Sequence, residues 1–293
     1  MTVERTTTET IRPLLAGLFA YVVWGFFPLY FKLLTHIPPL AVVSHRILWS
    51  AIFLILIVVV QRKGSAIRGL LSHPRTLRLL MVTSILISLN WLVFIRAVEK
   101  GEVLQSSLGY FLTPIVNVIL GVGVLGERLR RTQTVSVILA AGGVVIQVAE
   151  VGRVPVTALV LALTFGCYGL VRKVAKAEPI PALTIETLLL SLPALLLLSL
   201  STTGTHPLGD GWRDLFFLSL SGVVTAVPLL LFGAATRSLR LATIGFLQYI
   251  TPSLHFLQAV FIYREPFGTG ELASFVMIWG ALLIYSLDAI RHR

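Results

Sequence analysis

Three ionisable side chains sit inside apolar runs long enough to cross a membrane. His45 and Arg46 are neighbours, and Glu186 stands in a later run. A charge within a bilayer is expensive, so such a residue is a functional candidate by default. The chemistry open to these three is non-covalent. Arg46 can attract an anionic group, and His45 or Glu186 can carry a proton. The structural alternative is an arginine and a glutamate that snorkel to the interface.

Two Thr-Pro pairs, Thr113-Pro114 and Thr251-Pro252, fall near the middle of two further runs. A proline inside a helix has no N–H for the carbonyl four residues back, so Pro114 and Pro252 should free the carbonyls of Tyr110 and Gln248. A free carbonyl in hydrocarbon is tolerated only beside protein or a wet cavity. Polar and aromatic residues at similar depth complete a candidate substrate site: Trp24, Asn90, Trp91, Tyr110, Thr113, Asn117, Tyr168, Gln248, Tyr249, Thr251 and His255. Asn117 and His255 hold equivalent places after their prolines. Aromatic faces with a few amide and hydroxyl groups suit an amphipathic small molecule.

Bond-making chemistry has no such support. There is no GxxxxGK[ST] phosphate loop, no HExxH or paired-cysteine spacing, and no GxSxG elbow. The single cysteine, Cys167, lies in an apolar run and reads as a buried thiol. No catalytic residue, metal or cofactor is expected.

The elements that must position these residues are membrane helices. Of the 293 residues, 56% are apolar and 13% charged, and the mean hydropathy is +0.90. A soluble domain of this size could not cover such a surface. Ten spans of about 20 residues can be drawn: Pro13–Leu34, Pro39–Gln61, Thr76–Val98, Val103–Leu125, Thr132–Val148, Val154–Val171, Ala182–Ser201, Trp212–Thr236, Leu241–Tyr263 and Gly268–Ile290. The fifth and sixth are the shortest.

Within these spans the chain repeats itself. Residues Leu92 to Glu127 recur loosely as Leu230 to Glu265, with Leu92, Phe94, Ala97, Thr113-Pro114 and Glu127 matched by Leu230, Phe232, Ala235, Thr251-Pro252 and Glu265. Five spans per half is an odd number, so the second half must enter the membrane from the opposite side. The fold class is therefore all-α and integral to the membrane, with ten transmembrane helices as two inverted five-helix repeats. His45 aligns with Glu186 across the repeats. The expected divisions are a cytoplasmic segment 1–12, repeats 13–149 and 150–290, and a cytoplasmic end 291–293.

The net charge of +11 does not point to nucleic acid, because Lys and Arg cluster at alternate connections: Arg62, Lys63, Arg68, Arg75 and Arg78; Arg128, Arg130 and Arg131; Arg172, Lys173 and Lys176; Arg237 and Arg240. That is the positive-inside pattern, and it puts both termini in the cytoplasm. Lys32 and Arg96 lie near outer ends and should snorkel. Glu127 and Glu265 should serve the N-termini of the helices that follow them. Small residues at Ala140-Ala141-Gly142-Gly143, Gly121 and Gly123 should pack helices within a monomer rather than form more than a weak homodimer.

At this point the residues resemble a known family. WGFFPLYFKLL from Trp24, HRILWS from His45, LNWLVFIRAVEKGEVLQSSLGYFLTPIVNVILGVGVLGERL from Leu89, and SGVVTAVPLLLFGAATRSLRLATIGFLQYITPSLHFLQAVFIYREPF from Ser221 are similar to the EamA branch of the drug/metabolite transporter superfamily, and within it to RarD-type proteins. The resemblance covers nearly the whole chain. It implies a cavity lined by helices one, three, four, six, eight and nine, in agreement with Trp24, Asn90, Tyr110, Tyr168 and Gln248, and with Pro228 as a third kink. Relatives of the YddG type export amino acids and some amphipathic compounds. The expectation is a bacterial inner-membrane secondary transporter of small molecules working by alternating access. An uncoupled facilitator is the first alternative. A membrane enzyme or scaffold is disfavoured for lack of a polar catalytic cluster.

Overall fold

A computed structural model describes residues 7–99, 103–151, 156–200, 211–262, 264 and 268–291. Among them every regular element is helical: α1 (Thr7–Gly25), α2 (Phe27–Phe31) with a 3-10 turn over Lys32–Leu34, α3 (Pro39–Val60), α4 (Gly64–Leu71), α5 (Pro74–Glu99), α6 (Val103–Gly123), α7 (Arg131–Val151), α8 (Val156–Ala175), α9 (Pro179–Leu200), α10 (Trp212–Ser238), α11 (Leu241–Gln248), α12 (Ile250–Phe261) and α13 (Thr269–Arg291). Eight helical stretches are long and apolar enough to cross a membrane, and Gly109–Gly123 is a shorter apolar one. Large apolar side chains such as Ile52, Leu56, Val59, Leu192 and Leu196 face outward. The chain is a multi-pass membrane protein.

Several boundaries differ from expectation for local reasons. Helix α1 starts at Thr7, so the polar stretch before Pro13 is partly helical. The first span breaks at Phe26 because Pro28, in the first turn of α2, has no N–H to continue the ladder. The fifth and sixth spans are longer than predicted, as α7 and α8. An extra helix, α4, occupies the Arg- and Lys-rich connection after α3, which Arg62 leaves in a left-handed conformation (φ 54°). The predicted ninth span is two helices, α11 and α12, parted at Tyr249, one turn before Pro252. Their 20 residues still extend about 30 Å, the thickness of a bilayer core. Helices α6 and α10, by contrast, run unbroken through Pro114 and Pro228.

Close packing follows the small residues. A Cβ on Gly143 would lie 2.9 Å from the Ser274 carbonyl, and one on Gly142 would lie 2.7 Å from Met277 Cε. The Ser274 hydroxyl donates to Gly143 O at 2.7 Å, so this stripe packs α7 on α13 within the chain. At Gly222 the backbone of α10 presses on Trp49 and Ser50 of α3, and the Ser50 hydroxyl donates to Gly222 O at 2.9 Å.

Both ends of the bundle are tied across the two halves of the sequence. At one end His36 Nε2 meets Asp214 Oδ2 at 2.9 Å, and the Tyr30 hydroxyl donates to the Phe217 carbonyl. At the other end Lys63 pairs with Glu178, and Arg130 with Asp288 at 2.8 Å. Glu127 belongs to this second end and corrects an expectation. Its carboxylate accepts the N–H groups of Leu241 (2.6 Å) and Ala242 (3.0 Å), so it caps α11 rather than α7, the helix that follows it. The chain turns through Gly126 at φ 65°, which aims Glu127 at the other half. Lys173 and Arg240 flank it at 3.9 and 4.0 Å. Glu265 and the side chain of Arg96 lie outside the described residues.

Candidate functional site

Helices α3, α5, α8, α9 and α10 converge on a narrow cleft. Each lines it with one face. Ile47 and Ser50 come from α3, Ile87 and Trp91 from α5, and Tyr168 from α8. Helix α9 supplies Leu183, Glu186, Thr187 and Leu190, and α10 supplies Thr225, Ala226 and Leu229. The i, i+3 and i, i+4 spacings are what one helix face requires. The space left between these side chains is about what one water needs. This conformation leaves no room for a larger solute between these side chains.

One end of the cavity is an ion pair. Glu186 accepts from Arg172 Nη1 at 3.2 Å, from the Thr83 hydroxyl at 2.6 Å and from the Tyr168 hydroxyl at 3.3 Å. Glu186 is 1% exposed and Arg172 5%, so neither snorkels. Arg172 was expected among the basic residues outside the membrane. Helix α8 runs on to Ala175, however, and places Arg172 one turn below Tyr168 on the same inward face.

The other end carries a cation of a different kind. Arg46 Nε donates to the Thr225 hydroxyl at 2.9 Å. Its guanidinium carbon lies 4.8 Å from the ring centre of Phe31, 5.4 Å from Trp91 and 5.7 Å from Phe27. Trp91 and Thr225 are shared with the cavity wall. His45, beside it, is buried in α3.

Other candidates gather around the parted helix. Asn117 Nδ2 donates to Gln248 Oε1 at 3.1 Å, linking α6 to the end of α11. The two helices touch closely here, since a Cβ on Gly245 would lie 2.6 Å from the Pro114 carbonyl. The Thr113 hydroxyl turns back to Gly109 O at 2.6 Å in its own helix. Thr251 behaves differently and donates to Tyr21 O of α1 at 2.9 Å. His255 Nε2 lies 3.3 Å from Trp24 O, and Gln258 Nε2 donates to Gly25 O at 2.7 Å. A carbonyl can only accept, so His255 carries its proton on Nε2. The comb of Thr251, His255 and Gln258 thus satisfies the carbonyls at the end of α1, including the one that Pro28 leaves without its partner. Tyr110 packs edge-on against His255, 5.7 Å between ring centres. The hydroxyls of Tyr249 and Tyr21 and Asn117 Oδ1 are buried without a hydrogen-bond partner.

The remaining candidates are tied elsewhere. Asn90 donates to Leu161 O (2.9 Å) and to the Thr164 hydroxyl (2.8 Å), joining α5 to α8. Trp24 belongs to an aromatic cluster with Tyr21, Phe165 and Phe232, and Tyr168 stacks on Phe232. The cavity therefore brings together Trp91, Tyr168 and Glu186, with Arg46 against its wall, while Asn117, Gln248, Tyr249, Thr251 and His255 form a second group. Sequence reasoning missed Thr83, Thr225, Arg172 and Gln258. Arg172 and Gln258 are legible in the sequence, each standing on the helix face of a candidate residue (Tyr168 and His255).

The model of the EamA-like transporter family matches residues 11–149 and again 154–287. Protein RarD of Salmonella typhi is 44% identical over 285 residues, covering 96% of this chain and 97% of the relative. Protein RarD of Escherichia coli (strain K12) is 42% identical over 284 residues, 96% of each chain. The uncharacterized transporter YojE of Bacillus subtilis (strain 168) is 38% identical over 290 residues, 97% of each. One solved crystal structure superposes with a TM-score of 0.74 at 16% identity, covering 94% of this chain and 98% of the other, which is a likeness of fold alone.

Proposed function

The chain belongs to the EamA-like transporter family, and from that premise we propose that it is an inner-membrane secondary transporter that exports amino acids or small amphipathic metabolites by alternating access. The reading rests on one observation above all: a narrow cleft between a buried ion pair and a half-buried arginine, with both ends of the bundle tied by bonds between the two sequence halves. Such a space can serve a solute only if the ties at one end release while those at the other hold. Inverted repeats supply the symmetry for that exchange. The Lys- and Arg-rich end, with both termini, faces the cytoplasm.

The parted helix α11–α12 and the tightly packed α6 are the elements expected to move. An uncoupled facilitator of the same solutes is the second reading, and a specific observation favours it. Glu186 is already satisfied by Arg172, Thr83 and Tyr168, so a coupling proton would have to compete with a cation. The test is uptake of radiolabelled amino acids and amphipathic acids and amines by proteoliposomes, with and without a proton gradient. Saturable uptake supports transport, and its dependence on the gradient separates the two readings. Cross-links that lock either end should stop it. Full-rate uptake by locked protein sinks alternating access.

A further inference from the structure

We propose that the Arg46 guanidinium is a binding site for the carboxylate of a small organic acid with an apolar or aromatic body, and that this defines the substrate class of the transporter proposed above. The inference rests on that reading for its physiological meaning and on Arg46 itself for its chemistry.

Among the described residues Arg46 is a cation within a span that has no carboxylate at ion-pairing distance. Arg172, the fully buried arginine of α8, has Glu186 at 3.2 Å. Arg46 has one hydrogen bond, through Nε to Thr225. Its two Nη nitrogens carry four N–H groups, and none of them is hydrogen-bonded to a described residue. Three aromatic rings surround the guanidinium carbon at 4.8 to 5.7 Å. Rings stabilise a cation but accept its N–H groups poorly, so they hold the charge in place without neutralising it.

The geometry selects the ligand. A guanidinium offers parallel N–H groups that match the two oxygens of a carboxylate. Nε is already engaged by Thr225, which fixes the plane and leaves the Nη edge to be filled. Trp91 and Thr225 touch both Arg46 and the cleft, so once the helices part to widen it, a carboxylate held there has its body directed along Ile47, Ile87 and Leu229. That wall is aliphatic, with Trp91 at its Arg46 end. Along α5 the distance from Trp91 to Thr83, which holds Glu186, is eight residues or about 12 Å. The ammonium of an α-amino acid bound at Arg46 therefore cannot reach Glu186, and the site has no use for it. The recognised feature is the carboxylate plus an apolar body, with or without an amine.

The test uses the full-length protein in detergent and three probes of one shape: 3-phenylpropanoate, its neutral amide 3-phenylpropanamide, and phenethylamine. Equilibrium binding should be saturable for the acid and at least roughly tenfold weaker for the amide and the amine, the loss expected for a charge-assisted pair. Arg46→Gln should abolish that preference, and Arg46→Lys should keep part of it. Equal binding of acid and amide, or an unchanged preference in R46Q, overturns the site. So does failure of 3-phenylpropanoate to bind. If R46Q does not fold, the R46K affinity decides. The same probes in proteoliposomes separate the two ideas. Arg46-dependent binding without movement keeps the site and removes transport, whereas movement of acid, amide and amine alike keeps transport and removes the site.

Discussion

Asn117 and Gln248 join the two sequence halves where each carries a Thr-Pro step: Nδ2 of Asn117 donates to Oε1 of Gln248 at 3.1 Å, and both residues are buried. The pair sits where the Gly245 backbone meets Pro114. Replacing Asn117 with Ala strands the Gln248 amide, and the expected loss is about 1–3 kcal/mol of stability. Removing both partners should lose less than the sum, with a coupling of about 0.6 kcal/mol, the average measured between membrane helices. Thermal melting of the four proteins of the cycle in detergent gives the number. Transport should fall in each variant that still folds.

The Arg172–Glu186 pair makes an asymmetric prediction. Arg172→Met leaves a buried carboxylate without its cation, and the loss should be about 3–5 kcal/mol. The double replacement Arg172→Met with Glu186→Leu should regain most of it, because two charges leave the interior together. Melting temperatures of the single and double variants decide. A double variant as unstable as R172M would mean that the pair stabilises the fold by more than mutual neutralisation.

Pro28 and His255 should be coupled although 227 positions separate them in the sequence. His255 donates to the Trp24 carbonyl, which lacks its own helical donor because residue 28 is proline. His255→Phe should destabilise by about 1–3 kcal/mol through the orphaned carbonyl. Adding Pro28→Ala restores an N–H at position 28 and should rescue part of the loss. The rescue, read by melting, distinguishes this bond from general packing around His255.

Glu127 caps a helix it does not precede. Glu127→Leu removes the acceptor for Leu241 and Ala242, and caps of this kind are worth about 0.5–2 kcal/mol. Hydrogen exchange should speed up at the first amides of α11 and leave those of α7 unchanged. Faster exchange at the start of α7 instead would return Glu127 to the helix that follows it.

The spans are legible in the sequence because hydrocarbon demands long apolar runs with internal hydrogen bonds, and few other patterns satisfy it. Arg46 and Glu186 are legible for the same reason, as charges where charges are costly. What each one pairs with is not. Thr83, Thr225 and Arg172 belong to other helices, and the register between helices is set by packing at points such as Gly222 against Trp49. The Thr-Pro pairs mark both special helices, yet the sequence treats them alike. Thr113 turns inward to its own helix, while Thr251 reaches α1, where Pro28 has created a demand. Only that second site is accompanied by a break, at Tyr249. The cap at Glu127 misleads in the same way, because proximity in sequence favours α7 while the turn at Gly126 swings the carboxylate to α11.

The two ends of the bundle are fastened with different materials. At the end of α4 and α13 the fastening is largely ionic and reaches water: Lys63 and Glu178 are 24% and 40% exposed, and Arg130 is 40% exposed over Asp288. At the end of α2 it leans on the aromatic rings of Phe27, Phe31 and Phe217, the Tyr30 hydroxyl and one His–Asp contact. Dissolved salt screens exposed charges over about 10 Å at 0.1 M and leaves ring packing alone. Ionic strength on one face of the membrane is thus a handle on which end opens first.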